Sequence, residues 1–382
     1  MPAPSALRHF HRLPQSDVDA LFLCAPQPFT DDAPRDLLAH ALGATLYVPA
    51  TRPGLAELVA RRYADGVASM VVDLEDAVAD DDVEKATLQA ISALRELAGT
   101  PAAAMLLFVR PRSAGAITRI TEALGPEVEA LTGFVLPKFA AADGTSSLAA
   151  VADASERAGK WLYAMPVLEG PELVYRESRD AELDGIAALL AAHRERILAV
   201  RVGATDMCSL FGIRRDRDLT VYDVRVVADA IAAIVNRFGR SDGTGFVVTG
   251  PVWEYFDSDA RSHAKAFGAR PGGPFPVSPD IGGLLREVAL DRANGLYGKT
   301  VIHPSHVPVV HALAAVSHEE YQDALDIGRA GSGITPSAYR NKMNEVKPHR
   351  LWAEQTLLRA SAFGVIRAGV THADLLRALA ER

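Results

Sequence analysis

Eight short apolar runs, each separated from the next by a longer stretch, constrain this chain more than any other feature. They are TLYVP (45–49), SMVVDL (69–74), MLLFVR (105–110), GFVLPK (133–138), LYAMPVLE (162–169), ILAVRVG (197–203), GFVVTG (245–250) and GKTVIHP (298–304). The stretches between them, such as 54–65, 83–97 and 222–238, repeat apolar residues at helical spacing. Eight strand candidates alternating with helical patterns predict an α/β protein, a TIM-type (β/α)8 barrel. Periodicity does not register closure, so an open, doubly wound sheet is the competing reading. No glycine-rich phosphate loop follows the first strand, which weakens the dinucleotide-binding version of that alternative.

The rhythm divides the chain of 382 residues into three parts. Residues 1–43, with prolines at 14, 26, 28 and 34, read as an irregular N-terminal extension. Residues 44–306 form the barrel, with an insertion near 257–283 that ends in a Gly/Pro-rich stretch and reads as a loop or lid beside the mouth. Residues 307–382 carry helical patterns at 308–328 and 351–380 and are expected to make an oligomer contact. A net charge of -8, with both signs interspersed, argues against a nucleic-acid partner. Two distant cysteines, Cys24 and Cys208, give no disulfide scaffold and suggest a reducing compartment. The apolar run Leu21–Ala25 is too short for a signal-peptide core and no run of 18 apolar residues occurs for a membrane span, so the chain reads as cytoplasmic.

In such a barrel, chemistry gathers where the strands end. Ionisable residues terminate seven consecutive runs: Asp73, Glu75 and Asp76, then Arg110, Lys138, Glu169, Asp206, Glu254 and His303. Glu169 and Asp206 form the natural pair for Mg2+, which takes one or two carboxylates and leaves room for water and substrate. Such an ion could stabilise an enolate as a carbon–carbon bond breaks. Asp206 could equally cap a helix starting at Met207. Arg110 offers a planar fork for a substrate carboxylate or oxyanion, or else an ion pair to Glu75 or Asp76. Lys138 has the same two readings. The close carboxylates Asp73, Glu75 and Asp76 suit acid–base work or helix capping. His303 reads as a proton shuttle or a structural hydrogen-bonder. The run Arg214, Arg215, Asp216, Arg217, Asp218 reads as a solvated loop or a contact to a phosphate or CoA-like group.

The segments VVDLEDAV (71–78), FVRPRS (108–113), VLPK (135–138), VLEGPEL (167–173), GATDMCSLFG (203–212) and GKTVIHP (298–304) resemble, in order, the markers of the HpcH/HpaI aldolase/citrate lyase family. They are most similar to its citrate lyase beta-subunit-like branch. The stretch 339–360, with Lys342 and Met343, resembles the family's later K-M region. The resemblance implies Mg2+ ligation by Glu169 and Asp206, substrate binding by Arg110, and supporting roles for Glu75 and Asp76. It also implies a homo-oligomer, a trimer or hexamer, acting on a small carboxylic acid or its CoA thioester. Three departures stand out: Arg112 where the family has asparagine, Met207 where it has leucine, and Arg340–Asn341 where it has Asp-Gly. Arg112 adds positive charge beside the substrate region and is expected to bind a more anionic substrate. The leading expectation is a metal-dependent carbon–carbon lyase or aldolase. An acyl-CoA thioester hydrolase on the same site and a non-catalytic scaffold subunit are the alternatives.

Overall fold

The computed structural model describes residues 6–256 and 279–380. A short first strand, β1 (Phe22–Cys24), lies outside the main sheet. The next eight are β2 (Ala44–Pro49), β3 (Ser69–Asp73), β4 (Leu106–Arg110), β5 (Gly133–Leu136), β6 (Tyr163–Leu168), β7 (Val200–Val202), β8 (Val248–Gly250) and β9 (Leu296–Val301). Each pairs in parallel with its successor, and β9 pairs back onto β2, so the sheet closes and the open-sheet alternative is excluded. All eight runs read from the sequence become barrel strands. They are mainly apolar because both faces of a parallel strand are covered, with buried exceptions such as Arg201 on β7 and Lys299 on β9. Met70 and Val72 face the surrounding helices, whereas Val71, Leu106, Phe108, Val135 and Met165 belong to a second core cluster. That second cluster continues into Leu7, Phe10 and Phe22 before the barrel and Phe363 after it.

The helices that wrap the barrel follow the same logic. Helix Val83–Leu97 buries Ala86, Ala90, Ile91, Ala93, Leu94 and Leu97 along one stripe and leaves Glu84, Lys85 and Glu96 in solvent. The expected 54–65 and 222–238 patterns form helices Leu55–Ala64 and Arg225–Phe238. The 308–328 pattern is two helices, His306–Ala314 and His318–Arg329, because Ser317 opens the second with a reciprocal Ser317–Glu320 capping box. A hairpin of β10 (Ile334–Pro336) and β11 (Met343–Glu345) follows, then helix Val346–Phe363, β12 (Val365–Ile366) and helix His372–Ala380. Residues 257–278, most of the expected insertion, lie outside the described residues. Among the described residues, no helix is long and apolar enough to cross a membrane.

The segment before the barrel is not irregular, as its prolines suggested. It holds helices Gln15–Leu21 and Arg35–Ala41, and β1 pairs antiparallel with β12. Prolines sit at helix starts here, with Pro14 and Pro34 each preceding a first turn. His9 fastens this segment to the C-terminal one. Its ring stacks on Phe363 at 4.0 Å and meets His311 edge-on at 4.7 Å, and Nε2 donates to the Ala41 carbonyl at 2.8 Å.

Burial lowers the His9 pKa to about 4, well below its ordinary 6.5. Between these two values the unfolded chain takes up a proton that the native state refuses, so stability falls as pH drops from 6.5 towards 4. His9 alone contributes a loss of about 3 kcal/mol by pH 4. His311, also held low by burial, adds in the same direction. Urea midpoints at pH 7.5 and pH 5 should therefore differ, and His9→Phe should flatten the dependence. An unchanged pH slope in that variant would remove His9 as the cause.

Candidate active site at the barrel mouth

The ladder registers bring the strand-end residues together. Asp73 and Arg110 are the last partners of the β3–β4 ladder, so their side chains leave on the same face. Arg110 Nε and Nη2 each donate to the Asp73 carboxylate at 2.7 Å, a bidentate fork. Its Nη1 lies 3.1 Å from Glu75 Oε2 and donates to Asp76 Oδ2 at 3.3 Å. β3 ends at Asp73, so Glu75 and Asp76 sit on a loop and both can turn towards Arg110. Lys138 Nζ donates to Asp76 at 3.1 Å and more closely to Glu75. Burial and a hydrogen bond shared with Asp76 raise the Glu75 carboxyl above the usual range. Asp76 goes the other way: burial opposes its charge, but hydrogen bonds with Glu75 and Lys138 outweigh that and hold it ionised.

On the opposite wall, Leu168 and Val202 are the last β6–β7 partners, so Glu169 and Gly203 face each other one position further on. Glu169 is buried, and Lys138 donates its backbone N–H to Oε1 at 2.8 Å. Lys138 reaches this geometry at φ +47°, left-handed backbone that is unusual for a side-chain-bearing residue. A Cβ on Gly203 would stand 1.7 Å from Glu169 Oε2, so only glycine leaves the carboxylate its place. Burial, then the neighbouring Asp206, raise the Glu169 carboxyl to about 8. Asp206 lies in the first turn of helix Ala204–Ser209, whose N-cap position is Gly203, so Asp206 is not the cap.

A cavity of about 570 Å³ opens between these walls, lined among others by Tyr47, Arg52, Asp73, Asp76, Arg110, Glu169, Arg201, Gly203, Asp206 and Thr300. Two carboxylates on one wall, one of them buried and driven towards its neutral form, are a donor set that a hard divalent cation would relieve. Among the described residues, no group of three or more His, Cys, Asp or Glu is arranged to hold a metal. The pair Glu169 and Asp206 suits an ion that takes one or two carboxylates and keeps its other positions for water and substrate, as Mg2+ does.

Of the expected site residues, Arg110, Asp76, Glu169 and Asp206 line this cavity, while Glu75 and Lys138 stand behind Asp76. Arg112 does not line it, contrary to expectation. Its guanidinium turns back to the carbonyls of Leu74, Glu75 and Val78 and to Asp80, so those donors are spent on the loop. His303 lies in a neighbouring groove, stacked on Phe256 and bonded to Ser305. Glu254 accepts from Thr205 and does not line the cavity. The charged run 214–218 is solvated except at Arg215, which is buried and donates to Glu287 at 2.6 Å. Arg201, Tyr47 and Thr300 line the cavity but were not anticipated. The signal for Arg201 was a lone charge inside the apolar run ILAVRVG.

A family model for carbon–carbon bond lyases of the TIM-barrel fold matches residues 36–365. Among solved structures, the protein CitE from Mycobacterium tuberculosis, in complex with magnesium, acetoacetate and coenzyme A, is similar at 23% identity and a TM-score of 0.52, covering 84% of this chain and 99% of that one. A citrate lyase from Burkholderia xenovorans LB400 superposes with a TM-score of 0.61 at 17% identity, covering 85% and 92%. A Haloferax volcanii malate synthase in a lead(II) complex gives 0.52 at 14% identity, covering 71% and 72%. At these identities the likeness carries the fold. No curated protein matches the chain. The match over 330 residues, on a closed barrel whose mouth gathers the ionisable strand ends, makes this chain a member of the carbon–carbon bond lyase family of the TIM-barrel fold.

Proposed function

We propose that this lyase cleaves, or forms, a 3-hydroxy acid or its CoA thioester, with Mg2+ held by Glu169 and Asp206. The carrying observation is the buried Glu169, raised to about 8 beside Asp206 in a niche that Gly203 alone permits. Magnesium in the similar M. tuberculosis protein supports the choice of ion. Bound there, Mg2+ would supply Lewis-acid stabilisation of the charge that develops on a substrate carbonyl oxygen. The chain's own groups do the rest. The backbone N–H of Lys138 holds Glu169 in place, and Asp73 holds Arg110 facing the cavity. Asp76, ionised and half-exposed at the wall, takes the 3-hydroxyl proton directly or through water as the C2–C3 bond breaks. The O–H pair becomes the new C3 carbonyl, the C2–C3 pair passes into the enolate of the C1 carbonyl, and C2 then takes back a proton from the Asp76 carboxyl or from water.

A groove of about 520 Å³ lined by Arg52, Arg61, Arg62 and His303 runs beside the cavity and shares Tyr47, Val48, Pro49, Arg52 and Ile302 with it. Arg52 and Arg61 suit the phosphates of a CoA thioester, while Arg62 is paired with Asp65 and Glu57 shares the lining, and these two arginines, Arg52 and Arg61, support the thioester form of the substrate. The test is solvent deuterium exchange into the methyl group of pyruvate or acetyl-CoA, followed by NMR. Exchange should require Mg2+ and fall by roughly 100-fold or more in Asp206→Asn, a metal ligand in this reading. Exchange at the uncatalysed rate for both probes, or exchange indifferent to Asp206, would overturn it.

A further inference from the structure

Among the described residues, Arg201 is a guanidinium without a counter-ion. It sits on β7 with 1% of its surface exposed, and among the described residues no carboxylate lies within ion-pair distance of it. Nη2 donates to Thr300 Oγ1 at 2.6 Å and Nη1 to Thr45 Oγ1 at 3.4 Å, while Nε has no partner. Thr249, its cross-strand partner on β8, likewise has a buried hydroxyl with no partner. The Tyr47 ring lies 5.5 Å from the Arg201 guanidinium carbon and 5.3 Å from that of Arg110. The two cations thus flank one aromatic ring, yet only Arg110 is neutralised.

A buried charge without a partner opposes folding, and a purely structural residue at this place would be better as an apolar one. The arrangement becomes economical once an anion enters. Arg201 lines the same cavity as Glu169 and Asp206, and the two hydroxyls fix its fork while leaving donors unused. We infer that Arg201 binds a second carboxylate of the substrate, remote from the end held at Glu169 and Asp206, and so selects dicarboxylic over monocarboxylic acids. This rests on the proposed function above and adds the substrate class to it. It also gives the extra positive charge expected of Arg112 to a different residue.

Oxaloacetate and pyruvate are the matched probes, since they share the 2-keto acid end and differ by one carboxylate. In calorimetry with Mg2+, wild-type protein should bind oxaloacetate roughly 10- to 100-fold more tightly than pyruvate. Arg201→Met should erase that preference, leave pyruvate binding within about two-fold, and keep or raise Tm, because it removes an unpaired buried charge. Arg201→Lys should retain part of the preference, since it keeps the charge and loses the fork. Equal affinities in wild type, as when water alone fills the niche, or a preference that survives Arg201→Met, would overturn the assignment. Succinate binding to metal-free protein separates it from the metal site. Succinate held by wild type and lost in Arg201→Met, with no Mg2+ effect on either keto acid, would keep Arg201 and sink the metal reading. Mg2+-tightened binding that Arg201→Met leaves unchanged would do the reverse.

Discussion

Replacing Gly203 by alanine should weaken Mg2+ binding by roughly 100-fold or more while leaving the barrel folded. The backbone there has a negative φ of -97°, so the left-handed penalty that favours glycine does not arise. The obstacle is local: the new Cβ would lie 1.7 Å from Glu169 Oε2 and 2.7 Å from its Cβ and Cδ. A flexible carboxylate end could swing aside, but the approach to the Glu169 Cβ forces the whole side chain to shift. The loss should be roughly 100-fold or more in Mg2+ affinity, beyond what disturbing an outer partner of a ligand usually costs. Thermal unfolding close to wild type, together with the lost affinity, would locate the damage at the site. Unchanged Mg2+ affinity in Gly203→Ala would mean that Glu169 is not a ligand.

The second large effect is on stability. Lys299 is fully buried and donates to Glu287 at 2.9 Å and Asp291 at 2.7 Å, while Arg215 donates to the other oxygen of Glu287 at 2.6 Å. Tyr222 donates to Asp291 at 2.8 Å. Two cations balance two anions, and the cluster fastens helix Pro279–Ala293 and the loop before helix Arg225–Phe238 to β9. Burial still pushes Asp291 up to about 6 even beside Lys299. Lys299→Met would leave two carboxylates facing one arginine, and should destabilise the protein by about 3–5 kcal/mol. Adding Asp291→Asn restores neutrality with nearly the same shape, so the double variant should recover more than half of that loss in urea unfolding. A double variant as unstable as the single would show that shape, not charge, governs the cluster. Thr300, one residue on, faces the cavity and accepts from Arg201, so the cluster also fixes one wall of the site.

The barrel was legible because parallel strands covered on both faces are mainly apolar, which made the eight runs visible without knowledge of their pairing. The mouth was legible for the same reason. Glu169, Asp206, Arg110 and Asp76 stand just where an apolar run stops. Arg112 misled because a charge beside a strand end looks identical in sequence whether it faces the cavity or curls back onto carbonyls of its own loop neighbourhood. Only the position of Leu74, Glu75 and Val78 in space decides that. Arg201 was passed over because it lies inside a run that otherwise reads as core, although a lone arginine in an apolar strand is itself a signal that needs an explanation. The N-terminal segment was opaque because its helices are seven residues long and are held by distant partners, such as Ile366 for Phe22 and Phe363 for His9.

Calorimetric titration of Mg2+ into metal-free wild-type, Glu169→Ala and Asp206→Ala proteins tests the central claim most directly. The account predicts one site in wild type, tightened by oxaloacetate, and no measurable binding in either variant. Wild-type protein that takes up no Mg2+ with or without the keto acid, or variants that bind it as wild type does, would contradict a catalytic metal at Glu169 and Asp206.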